Sequence, residues 1–144
     1  MRAVIIDNEP PMIRTLSGLL EMYCPDVTLV GTADGVATGE KLILEVNPDV
    51  IFLDVEMGDG TGLDLVERLN FRKLHVIFVT AHDKYAINAF RYSAIDFLLK
   101  PVDPEDLMNA LKKFQQAKNP SPPSENGNLV SDYFYYDFSI CVMA

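Results

Sequence analysis

The chain has 144 residues, 49% of them apolar, and a formal net charge of −9. That excludes a disordered chain, and no apolar run approaches the ~18 residues of a membrane span. The negative charge argues against this chain gripping nucleic acid by itself, because that grip comes from Lys and Arg on phosphates.

Short apolar runs alternate with amphipathic stretches along the first 118 residues. "AVIID" (3–7) reads as a strand, followed by a helix over about 10–23. "VTLVGTA" (27–33) and a helix over 35–46 come next, then "DVIFLD" (49–54) and a helix over 61–70. "HVIFVT" (75–80) precedes a helix over 83–93, and "AIDFLL" (94–99) precedes one over 104–117. In that last helix Leu107, Met108, Leu111 and Phe114 fall at helical spacing. Asp103 suits its N-cap, Pro104 its first turn, and Glu105 and Asp106 its positive end. The alternation implies an α/β fold, with a parallel sheet covered by helices on both faces. Strands buried on both faces explain why the runs are continuously apolar rather than alternating. "NPSPPSENGN" (119–128) reads as a linker. The tail at 129–144 carries five aromatics between Tyr133 and Phe138, and these are expected to be packed against something.

The start of the chain is too short for a signal sequence and is interrupted by Asp7, which points to the cytoplasm. Cys24 and Cys141 have no metal-ligand spacing and read as reduced thiols.

Several runs end on polar residues. Asp7 ends the first, Asp54 the third and Thr80 the fourth, while Lys100 and Pro101 follow the fifth. In open α/β sheets ligands bind at the carboxyl ends of the strands, so these residues share one rim. Taken singly, an Asp or Thr there is usually a helix cap, and a Lys before Pro is usually solvated surface. Taken together, the carboxylates of Asp7, Glu9 and Asp54, with Asn8 among them, would repel unless a cation sits there, and oxygen ligands without a Cys or His cluster suit Mg²⁺. With Lys100 and the Thr80 hydroxyl, the set can hold a phosphoryl group.

"IIDNEP" (5–10), "IFLDVEM" (51–57), "VIFVTA" (76–81) and "DFLLKP" (96–101) stand in the order and spacing of bacterial two-component response regulator receiver domains. Residues 1–118 resemble that family, and 76–102 look most like its LytTR-type branch. The resemblance implies a flavodoxin-like, doubly wound (βα)5 three-layer sandwich around a five-stranded parallel sheet. It implies that Asp54 accepts a phosphoryl group from a sensor histidine kinase, and that Thr80 and Lys100 bind it. It also implies that Asp7, Asn8, Asp54 and the Glu56 backbone carbonyl serve Mg²⁺. Thr80 and Phe97 would form the switch, the Lys100–Pro101 bond would be cis, and copies would pair through about 83–93, 95–99 and 104–117. The expected role is a cytoplasmic phosphorelay protein serving transcription regulation, and not an enzyme. The tail resembles the entry strand of a LytTR-type DNA-binding domain.

Two departures stand out. Asn8 replaces an acid that is a direct metal ligand in the family; Glu9 can help only if its side chain turns back toward the site. "MGDG" (57–60) replaces the usual Met-Pro, and Gly58 and Gly60 are expected to loosen that loop. Two other function classes fit the sequence less well. One is a phosphate-independent pseudo-receiver, supported by Asn8. The other is an aspartate-nucleophile phosphatase, which would need Asp where Glu56 stands. His75 reads as surface, His82 as a residue near the pocket mouth, and Tyr85, Phe90 and Tyr92 as packing or a partner face.

Overall fold

The computed structural model describes residues 1–69, 75–82 and 94–118. In chain order the elements are β1 (Arg2–Ile6), α1 (Pro10–Tyr23), β2 (Thr28–Ala33), α2 (Val36–Val46) and β3 (Val50–Leu53). A short antiparallel hairpin, β4 (Glu56–Met57) with β5 (Gly60–Thr61), leads into α3 (Gly62–Arg68). β6 (Val76–Thr80), β7 (Ala94–Leu99) and α4 (Pro104–Lys118) follow. The hairpin was not legible in the sequence. The helix expected over 83–93, the linker and the tail with Cys141 lie outside the described residues.

The central sheet is parallel, in the order β2-β1-β3-β6-β7. Side-chain parity divides each central strand between two cores. Val4 and Ile6, Ile51 and Leu53, and Val76 and Phe78 face one core with Val36, Ile43, Leu65 and Val66 of α2 and α3. Ala3 and Ile5, Val50 and Phe52, and Ile77 and Val79 face the other with Leu16, Leu20, Leu107, Leu111 and Phe114 of α1 and α4. A strand that feeds two cores must be apolar at every position, which accounts for the continuous runs. β2 departs from that expectation: Thr28, Leu29 and Thr32 are exposed, because β2 is an edge strand.

Local chemistry fixes the helix starts. Thr61 and Asp64 form a reciprocal cap: Asp64 N–H donates to Thr61 Oγ1 (3.1 Å) and Thr61 N–H to Asp64 Oδ2 (2.9 Å). At α4, Glu105 N–H donates to Asp103 Oδ1 (2.8 Å), as the sequence suggests. The strand order has the chain leave β1 for β2 and return past β1 to β3. The connections from β1 and β3 therefore diverge to opposite faces, which opens a crevice at the carboxyl ends of those two strands.

Candidate functional site

Three polar or charged residues are buried among the described residues: Asp7, Asp54 and Thr80. All three lie at the carboxyl end of the sheet. Backbone bonds carry the ladder past the strands and hold the acids side by side: Asp54 N–H donates to Ile6 O (2.9 Å) and Asp7 N–H to Ala33 O (3.0 Å). Lys100 is placed in the same way, its N–H donating to Thr80 O at 2.8 Å. The Lys100–Pro101 bond is cis.

The Lys100 ammonium sits within a ring of carboxylates. Its Nζ lies 2.7 Å from Asp7 Oδ2, 3.2 Å from Asp54 Oδ2 and 3.3 Å from Glu9 Oε1. The Lys100 side chain is only 8% exposed. Removing each ion from water costs several kcal/mol, whereas one close opposite charge returns about 4 kcal/mol at an effective dielectric near 20. The cluster therefore forms only where oxygens and charge are shared, at a half-open rim. Burial pushes the Asp54 carboxyl above the usual carboxylate range and Asp7 pushes it further; Lys100 opposes both. Burial works against the Lys100 charge, but the hydrogen bond to Asp7 and the charges of Asp54 and Asp7 win and raise its pKa.

Carboxylate oxygens of Asp7, Glu9 and Asp54 lie within 4.8 Å of one another. With all three ionised, one ammonium leaves the cluster doubly negative. An all-oxygen, doubly negative, half-open set fits a hard divalent cation such as Mg²⁺. Asn8 is exposed, and among the described residues no hydrogen bond joins it to the cluster.

Thr80 is 1% exposed, and its Oγ1 accepts from His82 N–H at 3.4 Å. His82 Nε2 lies 3.2 Å from Glu56 Oε2, so the two side chains meet beside the pocket, both about half exposed. Phe97 is half-buried, pairs in register with Phe78 and packs against the α2–α3 core. His75 is half-buried rather than on the surface, because its ring meets Phe114 edge-on at 5.1 Å.

The loop after Asp54 is anchored rather than loosened. Asp59 reaches across to the start of α2, where its carboxylate accepts from Val36 N–H (2.8 Å) and Ala37 N–H (3.1 Å). Those bonds hold its pKa below the usual range. Gly60 has φ +148, and a side chain there would crowd Val36 and Asp64. At Gly62, whose N–H donates to Val55 O (2.7 Å), a Cβ would collide with the Asp54 carbonyl oxygen. The sequence shows the glycines but not these contacts: Asp59 meets residues 22 and 23 positions away.

A profile of the response regulator receiver domain matches residues 3–112. The chain belongs to this family. A response regulatory protein of Vibrio vulnificus is 40% identical over 127 residues, 88% of this chain and 52% of that one. The sensory transduction protein LytR of Staphylococcus epidermidis is 35% identical over 141 residues, 96% of this chain and 54% of that one. The chain thus spans about half the length of the curated relatives it matches, which include proteins of the LytTR-type branch. The response regulatory domain of mrkE from Klebsiella pneumoniae superposes with a TM-score of 0.75 at 27% identity, covering 84% of this receiver and 100% of that domain. The response regulator domain of Thermotoga maritima CheB does so with a TM-score of 0.70, also at 27% identity, covering 85% and 98%. The flavodoxin-like doubly wound fold expected from the sequence is the fold found. No helix of the described residues is long and apolar enough to cross a membrane.

Proposed function

We propose that this receiver is switched by phosphorylation of Asp54. The observation that carries this reading is the Asp54 carboxylate, buried in the crevice between β1 and β3 and bonded to the Lys100 ammonium. An Asp54 carboxylate oxygen attacks phosphorus; the bond from phosphorus to the donor's leaving atom breaks, and the donor leaves with that electron pair. The donor is the phosphohistidine of a sensor histidine kinase or a small acyl phosphate. Lys100 neutralises charge on the transferred group, and the Thr80 hydroxyl, which accepts from His82 N–H, donates its own proton to it. Asp7, Asp54 and the Glu56 carbonyl would hold Mg²⁺, which when bound supplies positive charge against the phosphoryl oxygens. Movement of Thr80 would draw Phe97 inward and change the surface of β7 and α4, favouring a homodimer. The pairing segments carry a mixed-charge set, Lys84, Arg91, Asp96, Asp106 and Lys112; the first two lie outside the described residues, Asp96 is on β7, and Asp106 and Lys112 are on α4. This is a cytoplasmic signalling role that serves transcription regulation through an output domain, with no steady turnover of a substrate.

The test is mass spectrometry after incubation with acetyl phosphate and Mg²⁺. One added phosphoryl group, absent in Asp54→Asn, is expected. Equal labelling of Asp54→Asn would sink the assignment. A natural chain that stays unlabelled at every Mg²⁺ concentration would favour the pseudo-receiver reading that Asn8 suggests.

A further inference from the structure

Position 8 carries no charge, yet the cluster still has three carboxylates. The reason lies in the sequence Glu9-Pro10-Pro11. Glu9 is the N-cap of α1, a position from which a side-chain oxygen can accept from the helix's first N–H groups. Pro10 and Pro11 have no N–H to offer, and Met12 N–H and Ile13 N–H are taken by the Glu9 backbone carbonyl at 2.9 and 3.2 Å. The Glu9 side chain makes no capping bond. Its own N–H donates to Asp7 Oδ1 (2.9 Å), which turns the residue over the pocket, and its Oε1 reaches the Lys100 ammonium at 3.3 Å. Asn8 is exposed.

We propose that Glu9, released from helix capping by the two prolines, supplies the third carboxylate of the divalent-cation site and sets its affinity in place of Asn8. The proposal rests on the reading of this crevice as the receiver's phosphorylation site. The Glu9 side chain is 59% exposed, so its charge is partly screened and its contribution is smaller than that of a buried ligand. Its pairing with Lys100 already aims this charge into the site that a cation would share.

The test is a titration with Mn²⁺ alone, followed by electron paramagnetic resonance of the free ion, with Mg²⁺ as competitor and no phosphoryl donor. Glu9→Gln keeps an oxygen and the side-chain length but removes the charge, and should weaken Mn²⁺ and Mg²⁺ about tenfold. Asn8→Ala should change affinity by less than about threefold. Adding Asn8→Asp to Glu9→Gln should recover most of the loss. Equal affinity in Glu9→Gln and the natural chain, a loss in Asn8→Ala as large as in Glu9→Gln, or no binding by the natural chain would each overturn the proposal. Labelling of Asp54 by acetyl phosphate is measured separately at saturating Mg²⁺. Normal labelling with an unchanged Glu9→Gln titration discards the role of Glu9 and keeps the receiver reading. Absent labelling with a weakened titration does the reverse.

Discussion

The body of the sheet and its carboxyl rim are built from the same strands but obey opposite rules. In the body, residues such as Phe52 and Phe78 are about 1% exposed or less and pack within apolar cores. At the rim, one residue beyond β1 and one beyond β3, two carboxylates are almost as buried and are held by a single ammonium. The body gains from every atom it buries. The rim spends part of that gain on charges poised to be rearranged. Substitutions in the two regions should therefore separate stability from chemistry.

The widest separation is expected between Phe52 and Asp54. Phe52→Ala leaves a cavity in the α1–α4 core and should cost about 3–5 kcal/mol in denaturant unfolding. Asp54→Asn should stay within about 1 kcal/mol of the natural chain, because the amide keeps the shape and relieves repulsion from Asp7. A collapse of stability in Asp54→Asn would erase the contrast. The next effect is that of Lys100. Lys100→Ala leaves Asp7, Glu9 and Asp54 without their cation and should cost about 1–3 kcal/mol in the presence of a chelator. Millimolar Mg²⁺ should restore more stability to this variant than to the natural chain; equal responses would argue that the cluster does not bind the ion.

Gly62 ties the two regions together, since it starts α3 and lies against the Asp54 carbonyl. Gly62→Ala forces that backbone to move and should cost about 1–3 kcal/mol while also slowing acetyl phosphate labelling. Lost stability with an unchanged labelling rate would place the strain in α3 alone. The smallest effect is that of Asp59, an exposed carboxylate with a lowered pKa. A depressed folded pKa gives stability that is present above the ordinary value of 3.8 and lost as pH falls through the folded value. Asp59→Asn should therefore be less stable than the natural chain at pH 7, with the gap closing below that value. A gap that persists in acid would mean that shape, not charge, holds the loop to α2.

Much of this was readable in the linear chain. Continuous apolar runs ending in Asp7, Asp54 and Thr80 marked the strands, the two-sided burial and the shared rim, because face parity follows from spacing and the common strand direction from the alternation with helices. The Asp103 cap was equally local, its bond spanning two residues. Other features depended on neighbours brought in by the fold. The exposure of β2 follows from its place at the sheet edge, and the contact of His75 with Phe114 from the packing of α4. The glycine loop looked loose because its anchor, the start of α2, lies more than 20 residues earlier in the chain. For Glu9, the sequence supplied the prolines that deny it a helix to cap. Only the tertiary structure brought Lys100, 91 positions away, close enough to attract the freed carboxylate, since electrostatic attraction depends on distance in space and not along the chain.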